Sequence, residues 1–154
     1  MCILLSIASM APAADNRTTA DFAVIASSDV PMSNLSMADL RRLFLGDRQF
    51  WTPKLRVSLL VRAPVARERI IVVWTICKMS EAQFGQYWIG KVMRAESTSS
   101  PQLFSSNQQA LNLVSNTPGA IAIVSASQVP AGAKVLAVEG KLPNQPGYKL
   151  QIGE

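Results

Sequence analysis

The chain has 154 residues, 49% of them hydrophobic and 16% charged, which gives room for one packed domain and excludes a disordered chain. It contains no histidine and only two cysteines, Cys2 and Cys77. That composition removes Ser-His and Cys-His nucleophile pairs and leaves no basis for a zinc or haem site, so neither a metal nor another cofactor is expected. The net charge of +5 is uneven: from Arg41 to Arg94 eleven Lys or Arg face only Asp47, Glu68 and Glu81. Such a surplus is either a solvated basic surface or the field of an anionic ligand, an anionic partner or a membrane face. Nucleic acid is not expected, because neither a recognition motif nor interleaved exposed aromatics accompany the charge. The acids are scattered without paired-carboxylate spacing, so the chain is not expected to be an enzyme.

In chain order, MCILLSIASMAPAA (1–14) is uncharged and ends in small residues, the pattern of a signal peptide with Ala11-Pro12-Ala13 or Pro12-Ala13-Ala14 before the cut. Export to the periplasm is expected, with 15–20 as a linker and 21–154 as the mature domain. The apolar runs at 1–14 and 70–77 are shorter than the roughly 18 residues of a membrane span, so no stable membrane insertion is expected. Cys2 would leave with the signal, and Cys77 reads as a small buried apolar residue.

DFAVIAS, Asp21 to Ser27, reads as a buried strand. LSMADLRRLFLG reads as a helix with Ser36 as N-cap, Leu35, Leu40, Leu43 and Phe44 as its apolar stripe and Gly46 in the left-handed position that ends it. After a turn containing Trp51, RVSLLVR (Arg56 to Arg62) is a second strand. Pro64 suits the first position of a following helix. ARERIIVVWTICKM carries β-branched residues that favour a strand, but its length and Pro64 favour a buried helix, the assignment chosen here. In SEAQFGQYWIGKVM, Ser80 and Gln83 make a capping box, with Phe84, Tyr87 and Trp88 on one face. SNQQALNLVSN repeats the pattern with Ser106 and Gln109, turns Ala110, Leu111 and Val114 inward, and is stopped by Thr117-Pro118-Gly119. AIAIV (120–124) and KVLAV (134–138) are further strands, and the tail contains a short edge strand. Alternating strands and helices make an α/β class.

Three stretches in this order, LSMADLRRLFLGDRQFW, RVSLLVR and ALNLVSNTPGAIAIV, resemble the periplasmic phosphate-binding proteins of ABC importers, and their second lobe in particular. The similarity runs from Asp21 to Val138 and extends to short, exported, stand-alone phosphate-binding-protein-like chains. It implies a single periplasmic-binding-protein-like lobe: a mixed, mostly parallel sheet flanked by helices. It also implies an arginine at the end of the strand matching RVSLLVR, a Ser-Gly-Thr turn gripping phosphate after it, and a second lobe closing over the ligand. Here Arg62 holds the arginine position, but Ala63-Pro64-Val65 follows it, and with about twenty residues before the first matched strand only the second lobe is expected.

Two readings follow. In one, the chain is a binding module with weak affinity for phosphate or another small anion, held by Arg62, the amides of Val65 and Ala66, Arg67 or Arg69, and the hydroxyls of Ser27 and Ser28 on the same rim. Arg62 is equally suited to an ion pair with Glu68 or an aspartate, and the serines to ordinary loop roles. In the other, the lobe has lost its ligand and serves as a scaffold for a protein partner or a homodimer. Its anchors would then be Trp51, Phe84, Tyr87 and Trp88, although core packing is the use expected first for these aromatics.

Overall fold

The computed structural model describes residues 19–153; the expected signal segment, Cys2 and most of the expected linker lie outside the described residues. β1 (Thr19–Ala26) starts within that linker, since Thr19 and Ala20 pair with Gly153 and Ile152 of the tail strand β9 (Gln151–Gly153). The apolar run of β1 is continuous because both faces of the strand are covered. Phe22, Val24 and Ala26 enter one core, and Ala23 and Ile25 enter the other. β7 (Ala120–Ser125) divides its residues in the same way, Ile121 and Ile123 on one side and Ala120, Ala122 and Val124 on the other.

The seven-stranded sheet has the order β2 (Asn34–Leu35), β8 (Val135–Val138), β1, β7, β5 (Ser58–Arg62) and β6 (Gln102–Phe104), with β9 attached to β1. β1 is antiparallel to β7, β8 and β9. β5 is parallel to β6 and β7, and β2 to β8. Every strand of the sheet except β1 therefore runs in one direction, which is the mostly parallel sheet expected. One face carries α1 (Met37–Phe44), α2 (Arg67–Ile70) with its π-helical continuation Ile71–Ile76, and α3 (Glu81–Met93). The other face carries α4 (Asn107–Asn116).

The expected caps are present. Ser36 Oγ accepts from Asp39 N–H at 3.0 Å while the Asp39 carboxylate accepts from Ser36 N–H, and Ser80 and Gln83 make the same reciprocal pair. Each such cap stabilises its helix by about 1 kcal/mol. Ser106 accepts from Gln109 N–H, but the Gln109 side chain accepts from Ser105 instead of the cap residue. Gly46 has φ +70, as the end of α1 requires.

The expected helix after the second strand is corrected in two respects. The helix after RVSLLVR does not begin at Pro64: Pro64 and Val65 form a turn and α2 starts at Arg67. Its apolar continuation is helical but widens to i→i−5 bonding, with Cys77 N–H donating to Val72 O at 2.9 Å. Trp51, Phe84 and Trp88 are buried in the core, and Tyr87 is half-buried with its hydroxyl donating to Leu45 O, so these aromatics serve packing, the use expected ahead of an anchor role. Besides these, β2, the β3 (Phe50–Thr52)–β4 (Leu55–Arg56) hairpin and β6 escape the sequence pattern. Cys77 is buried as expected, and burial pushes its thiol up to about 12.

The Thr117-Pro118-Gly119 turn ties the sheet together. Gly119 has φ +69, its N–H donates to the Asp29 carboxylate, and its carbonyl accepts from Trp51 Nε1 at 2.8 Å and from Ser58 N–H at 3.0 Å. A Cβ at Gly119 would lie 2.0 Å from the Arg56 carbonyl oxygen. Gly140 has φ +76, yet a Cβ there would meet nothing within 4 Å. Gly119→Ala is therefore expected to cost at least about 2 kcal/mol, and Gly140→Ala only the left-handed penalty of about 1 kcal/mol. Urea denaturation of both variants checks this; equal losses would contradict the close approach.

Candidate functional site

The C-terminal ends of parallel strands, where helices begin, are the usual ligand edge of an α/β sheet. At this edge four segments converge: the end of β5 with Arg62, the start of α2 with Glu68, the start of α4 with Asn107, and the end of β7 with Ser125. Strand alternation aims Arg62 away from Val61, toward the side of Phe104 in β6, whose ring lies 6.0 Å from its guanidinium carbon.

The centre of this cluster is the Glu68 carboxylate. Its Oε1 accepts from Ser125 Oγ at 2.8 Å and from Asn107 Nδ2 at 3.0 Å, and its Oε2 lies 3.9 Å from Arg62 Nε. Asn107 Nδ2 also donates to Gln128 Oε1 at 3.1 Å, which fixes the amide. The Glu68 side chain is only 8% exposed. Burial pushes its carboxyl up, but its own amide, Ser125, Asn107 and Arg62 outweigh burial and hold it below the ordinary value of 4.5. Two buried polar atoms at the same place have no partner, Arg62 Nη1 and Asn107 Oδ1.

The turn between β5 and α2 is strained. Val65 has φ +80, a conformation that a β-branched residue rarely adopts, and it is 95% exposed. It follows Pro64 at the position where a type II turn ordinarily requires glycine. Ala66 caps α2 without a side-chain bond.

Of the residues singled out in the sequence, Arg62, Val65 and Ala66 lie along this edge, and Arg62 makes the anticipated ion pair with Glu68. Ser27 and Ser28 do not join them. β1 runs antiparallel, and Ser27 N–H donates to the carbonyl of Ala120, which pairs with Ser58. The serines are therefore at the other end of the sheet, roughly 13 Å from Arg62 along the strands by the rise of the chain. There the Ser27 hydroxyl bonds Asp29, whose carboxyl is held low chiefly by the Gly119 amide. Arg69 is also removed from the rim. Its guanidinium makes a two-point contact with Glu81 at 2.7 and 3.0 Å and donates to Arg62 O. Glu68, Asn107, Ser125 and Gln128 were missed as site residues; Glu68 and Asn107 stand at helix starts, Ser125 ends β7 and Gln128 closes the short turn after it, and the helix starts and the strand end are the signal that marks the first three.

Two further cations of the basic stretch are paired, Lys91 with Asp47 and Arg94 with Glu96. A concavity of about 360 Å³ lies away from this cluster, between the β3–β4 hairpin and residues 97–102. Its Arg48 and Arg56 lie over the rings of Trp51 and Phe50, whereas in the Glu68 cluster three side chains share one carboxylate, so that cluster is the better candidate. Among the described residues no group of acids, cysteines or histidines is arranged to hold a metal, and no helix is long and apolar enough to cross a membrane.

Three solved structures share this architecture. A protein from Clostridium perfringens, assigned as a phosphate ABC transporter substrate-binding protein and determined with bound phosphate, matches with a TM-score of 0.68 at 16% identity. The match covers 88% of this chain and 54% of that one. An ABC-type phosphate transport receptor from Vibrio cholerae matches with a TM-score of 0.64 at 15% identity, covering 88% and 55%. PstS from Borrelia burgdorferi matches with a TM-score of 0.69 at 13% identity, covering 89% and 56%. The chain thus spans about half the length of each of these structures and has the fold of one lobe of a phosphate receptor. No family model and no curated protein sequence matches it.

Because the folded pKa of Glu68 is depressed, its contribution to stability is present above pH 4.5 and is lost as pH falls through the folded value. Chemical denaturation from pH 6 to pH 3 should show a shallower loss of stability for Glu68→Gln than for the wild type; parallel curves would contradict an ionised, stabilised carboxylate. Val65→Gly should raise stability by about 0.5–1 kcal/mol, since relief of the left-handed strain exceeds the added chain entropy. A lower melting temperature for that variant would show that the turn is unstrained.

Proposed function

We propose that this chain is an exported, non-enzymatic binding module for a small oxyanion, working from a single phosphate-receptor lobe in the periplasm. The observation that carries this reading is the convergence of Arg62, Ser125 and Asn107 on one carboxylate at the ligand edge of the sheet. A cation, a hydroxyl and an amide aimed at a single point are the donor types that offset the desolvation of an oxyanion. Phosphate is the ligand class favoured by the similarity to phosphate receptors, among which the Clostridium perfringens structure holds phosphate.

Affinity should be low. This lobe by itself leaves one side of the ligand in water, and the strained Pro64-Val65 turn supplies no hydroxyl. A dissociation constant in the millimolar range follows. At 10 mM phosphate a constant of about 5 mM adds roughly 0.6 kcal/mol to folding stability, about 2 °C in melting temperature at this chain length. The expected result is a phosphate-dependent rise in the melting temperature over sulfate and chloride at matched ionic strength, lost in Arg62→Ala. No rise at any concentration up to 50 mM would contradict anion binding by the wild type.

A second reading, a scaffold for a protein partner or a second copy of the chain, draws on the exposed apolar residues Val65, Ile70, Trp74 and Leu103. Val65, Ile70 and Trp74 belong to the segment that follows Arg62, and Leu103 to the edge strand beside it. Strictly monomeric sedimentation at high concentration, with no partner crosslinked in the periplasm, counts against it.

A further inference from the structure

We propose that Glu68 is a tethered ligand: its carboxylate occupies the oxyanion site formed by Arg62, Ser125 and Asn107, and an external oxyanion such as phosphate enters only when that side chain leaves. The inference rests on the oxyanion-module reading and adds to it the device that sets the affinity.

The geometry argues against a merely local role for Glu68. An acid in the first turn of a helix is ordinarily satisfied by the dipole and by water, with its side chain at the surface. Here the carboxylate is turned inward to 8% exposure and takes two hydrogen bonds from residues 39 and 57 positions away in sequence. Those donors come from the ends of two other segments, so they surround a point in space and not a helix terminus. The charges facing that point are few: Arg62 approaches Glu68, while the neighbouring Arg69 is committed to Glu81.

A carboxylate also fits the site incompletely. Arg62 Nη1 is a buried donor without an acceptor, and Asn107 Oδ1 is a buried acceptor without a donor. Asn107 as a whole is 8% exposed. A planar carboxylate has no proton to offer Asn107 and only two oxygens to share among the donors. Monohydrogen phosphate carries three acceptor oxygens and one hydroxyl, so one ligand supplies both an acceptor for Nη1 and a donor for Oδ1. Sulfate lacks that hydroxyl and would leave Oδ1 unpaired.

In the proposed exchange the Glu68 side chain swings out by rotation about its own bonds, and solvent lies close by at the exposed Pro64-Val65 turn. When Glu68 holds the site for 90–99% of the time, external affinity is lowered about 10- to 100-fold, because only the vacated fraction is competent.

The test is titration of phosphate, sulfate and acetate into the full chain and its variants, by calorimetry and thermal shift. Glu68→Ala should bind phosphate at least tenfold more tightly than the wild type and should prefer it to sulfate. The gain should disappear in the double variant carrying Arg62→Ala. Glu68→Gln keeps the volume and folds by the same contacts, and serves should Glu68→Ala be unstable; loss of the competing charge should tighten phosphate about threefold or more. A folded Glu68→Ala or Glu68→Gln no tighter than the wild type overturns the inference, and it leaves the module reading intact if the wild-type shift still depends on Arg62. A wild type without response beside a responsive Glu68→Ala supports the tethered ligand and removes anion binding from the native protein. Silence in both overturns both. A Glu68→Ala variant that takes acetate but not phosphate also overturns the inference, since the site would then fit only the carboxylate it already has.

Discussion

The ligand edge of this lobe depends on one buried charge being satisfied. Removing the Glu68 carboxylate from water is unfavourable unless a cation and well-placed donors replace its hydration. Arg62 from β5, Asn107 from α4 and Ser125 from β7 do so together, and each is delivered by a different segment. The same carboxylate ties the ends of these segments to one another. α2 opens with Glu68 in its first turn, Asn107 is the first residue of α4, and Gln128 braces Asn107 from the turn after β7. Without the anion, Arg62 would be a cation beside Phe104 with nothing opposite it.

If the edge holds an oxyanion as proposed, Glu68 is a residue of the chain itself that supplies part of the enclosure. Next to it, Val65 is held at positive φ in the turn that leads from Arg62 to Glu68. The two features belong to one solution, in which the chain bends sharply after β5 so that the first turn of α2 faces back toward the strand ends.

Much of the fold was legible because local chemistry and tertiary position agree. Ser36, Ser80 and Ser106 announce three helices, and Gly46 and Gly119 take the left-handed positions their turns demand. What escaped reading was set by pairing. β6 is a strand only because Gln102–Phe104 lies beside Leu60–Arg62, and nothing in three residues after a serine-rich loop signals it. Ser27 and Ser28 were placed on the wrong rim because strand direction is not written in a strand's own residues, and β1 is the strand that runs against the rest. The helix start was read at Pro64 because proline suits the first helical position, but the fold places a turn with Val65 at positive φ there and begins the helix at Arg67. Arg62 and Glu68 could be paired in advance; Asn107 and Ser125 could not, since their meeting requires the sheet order.

The most direct measurement is a carbon-13 NMR titration of the Glu68 side-chain carboxyl in the wild-type chain as phosphate is added. If Glu68 is the resident occupant, its carboxyl resonance moves toward the position of a solvated glutamate along the same binding curve that perturbs Arg62. If Arg62 responds to phosphate while the Glu68 carboxyl stays fixed, the anion binds elsewhere on the arginine and Glu68 is a structural ion-pair partner only.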